Sequence, residues 1–318
     1  MLRKSALNGG CDGLAATESC SARRETSHRP GSGTSPKPKA TSSYGEEVVR
    51  EFDSPCLSLH QEWIELMMSI IVNADDLGVS SQVNNAIFEL MATGAVTSAT
   101  LLANGPAIDD ACVRLKEFPR ASFGVHLNVT EHFPLTTSSA LAPLLEDTGN
   151  FGGRDMLPSL SLRKNLANAI FEEFCAQIDR LTGLGVHISH MDSHHHVHTI
   201  PSLFLVLKRV QRRYGIRTVR ISRNIYGMNE IVSRSLLIKK AIFNMSLRHY
   251  YRTKTTEGFT DFLVFHEKSS GGELRCRTLE IMVHPGAASF QEESALLAGS
   301  WREYLELPFE LINYRQLT

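Results

Sequence analysis

Residues Ile70–Gly78 read IIVNADDLG, a β-branched apolar run that gives out into two adjacent aspartates and a glycine. Ile70, Ile71 and Val72 form the kind of run that makes a buried strand of a parallel sheet, and Asp75 and Asp76 stand where that strand opens into a loop. Neighbouring carboxylates repel each other. A bound cation relieves the repulsion, and it is tolerated where one of the pair is needed as a proton acceptor. A solvated turn accounts for the same letters, because Asp-Asp-Leu-Gly is ordinary loop chemistry. What separates the two readings is whether polar residues follow the other strands in the same way.

Downstream, strands and helices alternate. Ser80 or Ser81 caps a helix carrying Val83, Ala86, Ile87, Leu90 and Met91 at helical spacing, and Gly94 stops it. Val96–Ala103, Phe123–Leu127, Val186–Met191, Thr218–Ile221, Phe262–Phe265 and Leu279–Val283 read as strands two to seven, with Phe309–Asn313 as a further one. Leu166, Ile170, Phe174, Ile178 and Leu181 mark an amphipathic helix, Leu203, Leu207 and Val210 another, and helices are also predicted near 232–250 and 292–304. The loop from Thr130 to about Pro158 has the length of a lid or binding segment. About eight strands alternating with helices over roughly 250 residues predict an α/β fold, a distorted (β/α) barrel of the TIM-barrel kind. An open doubly wound sheet is the alternative, and both architectures put the active site at the carboxyl ends of the strands.

The residues at those ends are Asp75 and Asp76, Asn104, His126, Asp192, His194 and His198, Arg223, His266 and His284. They are polar throughout and rich in imidazole. The densest part is Ser189–His198, SHMDSHHHVH, and six of the 13 histidines fall between His187 and His198. Several imidazoles with a carboxylate close by favour a divalent or transition-metal site, since imidazole binds such ions as the neutral base and a carboxylate fixes its tautomer. The zincin pattern HExxH is absent, because His195 follows His194. Asn104 and Asn128 are candidate partners for substrate hydroxyls near the mouth. Arg220 and Arg223 suit substrate hydroxyls or a substrate anion, or else rim salt bridges.

Composition narrows the classes. With 318 residues, 42% hydrophobic and 21% charged, the chain can bury a full core. A net charge of −1 offers no electrostatic case for nucleic acid or an anionic membrane surface. No apolar run has the length of a membrane span, and the six scattered cysteines read as reduced thiols of a cytoplasmic protein. Residues 1–66, rich in Ser, Thr, Gly and basic side chains, are expected to be a disordered or mis-assigned N-terminal extension, with translation starting at Met67 or Met68. Residues 67–318 form the (β/α)-barrel domain in this reading.

The stretches IIVNADDLG, GAVTSATLLANGPA, GVHLNVT, SHMDSHHHVH and EIMVHPG, in this order, resemble the YdjC/ChbG family of carbohydrate deacetylases from about Ile70 to His284. The resemblance implies a distorted (β/α) barrel, one divalent ion, and removal of the N-acetyl group from an acetylated amino sugar or chito-oligosaccharide by attack of a metal-bound water. It implies Asp75 as catalytic base and Asp76, His126 and His194 as metal ligands. It also implies His284 as an acid or oxyanion partner. Magnesium is the ion the resemblance implies, whereas two imidazoles and a carboxylate also suit zinc or manganese. Leu77 stands where the family has Phe, and Glu131-His132-Phe133 replaces a more usual small or basic step. Another metal hydrolase such as a phosphoesterase, and a non-catalytic carbohydrate-binding protein, remain as rivals, and a homodimer is left open.

Overall fold

The computed structural model describes residues 67–157, 163–269, 271–272, 274–305 and 308–318, and the expected N-terminal extension at 1–66 lies outside them. Among the described residues strands and helices alternate almost throughout. The order is β1 (Met68–Leu77), α1 (Ser81–Ala92), β2 (Ser98–Leu101), α2 (Ile108–Arg114), β3 (Ser122–Leu127), α3 (Lys164–Gly183) and β4 (Ile188–Ser193). There follow α4 (Phe204–Tyr214), α5 (Arg234–His249), β5 (Gly258–Asp261), α6 (Phe262–Ser269), β6 (Thr278–Val283), α7 (Gln291–Ala298) and β7 (Phe309–Leu311).

The strands are parallel and hydrogen-bonded in the order β4-β3-β2-β1-β6-β5, with β7 paired to the first residues of β1. Residues 217–225 link the two outer strands. Met191 N donates to Thr218 O at 3.0 Å and Arg220 N to Met191 O at 3.2 Å; on the other side Val219 N donates to Lys254 O at 3.1 Å and Asn224 N to Phe259 O at 3.3 Å. The strands thus form a parallel α/β sheet, with residues 217–225 bonded to β4 on one side and to β5 and the residues before it on the other.

The apolar periodicity does what it predicts. Val83, Ile87, Leu90 and Met91 of α1 and Leu166, Ile170, Phe174, Ile178 and Leu181 of α3 all face the core, as do Leu203, Leu207 and Val210. Ser80 is the N-cap of α1, its Oγ accepting from Val83 N at 3.2 Å.

Two strand assignments need correction. Phe262–Phe265 is the start of α6, and the strand lies just before it. Four apolar residues in a row do not distinguish a buried strand from a buried helix turn, and Asp261 Oδ1, accepting from Val264 N at 3.0 Å, starts the helix there. His266 therefore belongs to a helix. Thr218–Ile221 forms bridges to both neighbours without becoming a regular strand.

Candidate active site

The site begins with an irregularity at the end of β1. Adjacent strand residues point to opposite faces, so regular geometry would separate Asp75 from Asp76. Asp76 has φ of 65° and the β1–β2 register shifts between Ala74 and Leu77. A left-handed non-glycine residue is strained by about 1–3 kcal/mol, and such strain gathers at functional sites. Asp75 stays buried beneath, on the same face as Asn73, which donates to its Oδ1 at 2.9 Å. Asp76 turns to meet two histidines, its Oδ1 lying 3.2 Å from His126 Nε2 and 2.8 Å from His194 Nδ1.

Asp76, His126 and His194 thus come from the ends of β1, β3 and β4 and bring one ligand atom each within 4.8 Å of one another. Both imidazoles meet Asp76 Oδ1 as ion pairs. Burial opposes the charge on Asp76, but the hydrogen bonds from His126 and His194 hold its carboxyl well below the usual range. Burial likewise opposes protonation of the histidines, and the carboxylates outweigh it. Asp192, then Asp75 and Asp76, push His126 up to about 10, and Asp76 with Glu131 push His194 up to about 9. Two imidazoles and a carboxylate turned onto one point fit a divalent ion, which would replace the protons.

Beneath them lies Arg220, wholly buried. Its Nη1 and Nη2 take Oδ2 and Oδ1 of Asp75 at 2.7 and 2.6 Å. Nη1 also lies 2.7 Å from Asp192 Oδ2, Nε 2.7 Å from Glu280 Oε1, and the guanidinium carbon 4.8 Å from the centre of the Phe259 ring. Asp75, His126 and Asp192 also cluster closely enough to hold an ion, but the guanidinium already serves those carboxylates. Burial works against ionised Asp75, and Arg220, with help from His126 and His284, holds its carboxyl well below the usual range.

His284 follows β6, with Phe290 stacked 4.2 Å away and its backbone N–H donated to Glu293. Its Nδ1 is buried without a hydrogen-bond partner. Burial lowers its pKa and prevails over the pull of Asp75 and Asp76, which favours the neutral ring. His198 is a structural histidine. It is bonded to Ser193 Oγ and lies 3.2 Å from Arg220 O, and burial with the Arg220 charge pushes it down to about 3.

The other sequence candidates have partners of their own. Asn104 Nδ2 donates to Glu131 O and Phe133 O at 3.1 and 3.0 Å, and Asn128, fully buried, donates to Glu131 O and Asn104 Oδ1 at 2.7 and 3.0 Å. Both pin the turn of the long loop that carries Glu131 to within 3.2 Å of His194 Nε2. From α3, Gln177 holds Asn128 and Glu173 holds Leu135 and Thr136, fixing the loop from its other side. Arg223 forms ion pairs with Glu230 and Asp261 and lies over Tyr226, the rim arrangement.

Sequence reasoning did not single out Asn73, Thr100 or Glu280. For Asn73 and Glu280 the available signal was a polar or charged residue inside a run that reads as buried strand, IIVNA and LEIMV; Arg220 in TVRI carries the same mark.

The model of the YdjC-like protein family matches residues 69–306. The chain belongs to that family. Among curated YdjC-like relatives, a carbohydrate deacetylase of Halalkalibacterium halodurans is 30% identical over 239 residues, 74% of this chain and 94% of that protein. A carbohydrate deacetylase of Geobacillus stearothermophilus is 39% identical over 155 residues, 48% of this chain and 60% of the relative. A solved structure from Enterococcus faecalis V583, described as a candidate cellobiose-phosphate cleavage protein, superposes with a TM-score of 0.62 at 23% identity, covering 79% of this chain and 99% of that one. It supports the fold alone.

Proposed function

We propose that this chain is an enzyme, a carbohydrate deacetylase that hydrolyses the N-acetyl group of an acetylated amino sugar or chito-oligosaccharide. The relatives named carbohydrate deacetylase support the reaction class. The observation that carries it is the convergence of Asp76, His126 and His194 beside a second carboxylate, Asp75, which Arg220 holds ionised. A divalent ion on those three side chains would polarise the acetyl carbonyl and lower the pKa of a water from ~15.7 toward ~7 in favourable cases. Magnesium follows from the resemblance, and zinc or manganese from the donor set.

Asp75 accepts the proton of the attacking water and returns it to the leaving nitrogen. Arg220 keeps the carboxylate charged and aimed while leaving lone pairs on both oxygens. Neutral His284 offers an N–H to the oxyanion of the tetrahedral intermediate. Amide hydrolysis needs these parts, and a module that only binds sugar needs no base.

The Enterococcus description suggests a sugar phosphate as a second class, but Arg220 and Arg223 are both engaged by carboxylates rather than offered to a phosphate. No helix among the described residues is long and apolar enough to cross a membrane, and a cytoplasmic setting fits the free thiols of Cys112, Cys175 and Cys276. The test is acetate release from N-acetylglucosamine and its oligomers by chelator-stripped protein resupplied with one metal at a time, beside a phosphatase panel. Ion-dependent acetate release is expected; phosphate release without acetate would replace this reading with the phosphoesterase one.

A further inference from the structure

His126 has two ring nitrogens with different neighbours. Nε2 lies 3.2 Å from Asp76 Oδ1, on the side shared with His194, whereas Nδ1 lies 2.7 Å from Asp192 Oδ1 and 3.1 Å from Thr100 Oγ1. A neutral imidazole carries one hydrogen, and only its bare nitrogen binds an ion. The arrangement around Asp192 decides which nitrogen that is. Its Oδ2 lies 2.7 Å from Arg220 Nη1 and accepts from Thr100 Oγ1 at 3.1 Å, and the side chain is wholly buried, so the carboxylate has a fixed orientation. An ionised carboxylate only accepts. Thr100 has given its one proton to Asp192, so it too meets His126 as an acceptor. The Nδ1 hydrogen of His126 is thereby held by Asp192, so Nε2, on the side of Asp76 and His194, is the nitrogen that gives up its proton to an ion.

By position in the sequence Asp192 belongs to the Ser189–His198 cluster, two residues before His194. The fold gives it to a histidine on the neighbouring strand, because His126 and Asp192 are paired in the β3–β4 register. His194 has Asp76 on one nitrogen and Glu131 near the other. Resting on the reading of Asp76, His126 and His194 as the ion-holding set, we propose that Asp192 is a positioning residue that sets the tautomer and ring orientation of His126 so that Nε2 is its ligand atom. Arg220 ties that orienting carboxylate to Asp75, so base and ligand are held by one guanidinium.

The decisive variant is Asp192→Asn. If the new carbonyl keeps facing Arg220 and Thr100, the amide NH2 faces Nδ1 and drives the hydrogen onto Nε2. If the amide is reversed, its NH2 opposes Arg220 Nη1, donor against donor. The expected result is a loss of affinity for Zn2+ and Mn2+ of about 10–100-fold by equilibrium dialysis. Asp75→Asn, which removes a different carboxylate of Arg220, is expected to keep its affinity. In zinc-loaded wild-type protein, 15N NMR of His126 is expected to show Nδ1 protonated and Nε2 bound, a readout that survives even if Asp192→Asn fails to fold. Equal affinity of folded Asp192→Asn and wild type, equal losses in Asp192→Asn and Asp75→Asn, or protonated Nε2 in the wild type would each overturn the positioning role. Wild-type protein that takes up neither ion overturns the ion-site reading as well.

Discussion

Arg220 grips Asp75 with both ends of its guanidinium, Nη1 to Oδ2 at 2.7 Å and Nη2 to Oδ1 at 2.6 Å, and neither side chain has more than 2% of its surface exposed. The same cation also serves Asp192 and Glu280. Removing one partner of a buried ion pair leaves the other uncompensated, which costs about 3–5 kcal/mol. Arg220→Met is therefore expected to destabilise the fold by at least that much in urea denaturation. Arg220→Lys is expected to recover only part, because an ammonium cannot fork onto two carboxylate oxygens. Wild-type stability in Arg220→Met would mean that the three carboxylates protonate at no cost, contrary to this account.

Asp75 and Asp76 are adjacent in sequence but differ in what they touch, so their variants should separate. Asp75→Asn removes the proton acceptor and leaves the ligand set intact; acetate release is expected to fall by about 10²–10⁴-fold with metal affinity retained. Asp76→Ala removes a ligand and is expected to lose both. Dialysis against Mn2+ together with acetate release checks the pair, and parallel loss of metal in both variants would contradict the division of roles.

Glu293 gives a pH dependence whose sign can be worked out. Burial pushes its carboxyl up to about 8 from an ordinary 4.5, against the hydrogen bond it accepts from the His284 backbone. The folded protein therefore holds a proton that the unfolded chain releases near pH 4.5. The contribution to stability is full below that value and is lost as pH rises through about 8, by on the order of 5 kcal/mol as an upper bound. Glu293→Gln keeps an acceptor for His284 and cannot ionise, so its stability relative to wild type is expected to rise across that interval. Glu280, pushed by burial up to about 7, adds a slope of the same sign that persists in the variant. Parallel stability curves for the two proteins would contradict the assignment.

The strands and the polar ends of β1, β3 and β4 are legible because burial imposes a period on the letters and polar residues interrupt it. Ile70–Val72, Phe123–Leu127 and the helix carrying Leu166, Ile170 and Phe174 all follow from that rule. Two kinds of feature were not. Phe262–Phe265 is apolar in any conformation, so its helix depends on a cap and on packing that no short window contains. The partners of Arg220 lie 145, 28 and 60 residues away, at Asp75, Asp192 and Glu280, so the network exists only once the strands are side by side. Asn104 and Asn128 hold the turn that carries Glu131, a tertiary contact that no local stretch of sequence contains.

Gly124 is the tightest point of the strand that carries His126. A Cβ there would lie 2.7 Å from both Nε2 and Cε1 of His190, whose ring is stacked on Tyr314 at 3.7 Å and tied to Ser189 and Asn73 at 2.8 and 3.1 Å. The obstacle is space rather than backbone conformation, because Gly124 has no positive φ. Gly124→Ala is expected to cost about 1–3 kcal/mol through overpacking in urea denaturation. Because His126 is two residues further along β3, acetate release should also fall. His190→Ala opens a cavity and is destabilising alone, yet it removes the ring that the new methyl meets. The double variant should therefore be more stable than the sum of the single effects predicts, with a coupling of about 0.5–3 kcal/mol. Strict additivity would mean that β3 shifts away from His190 instead, and the loss of activity would then exceed the loss of stability.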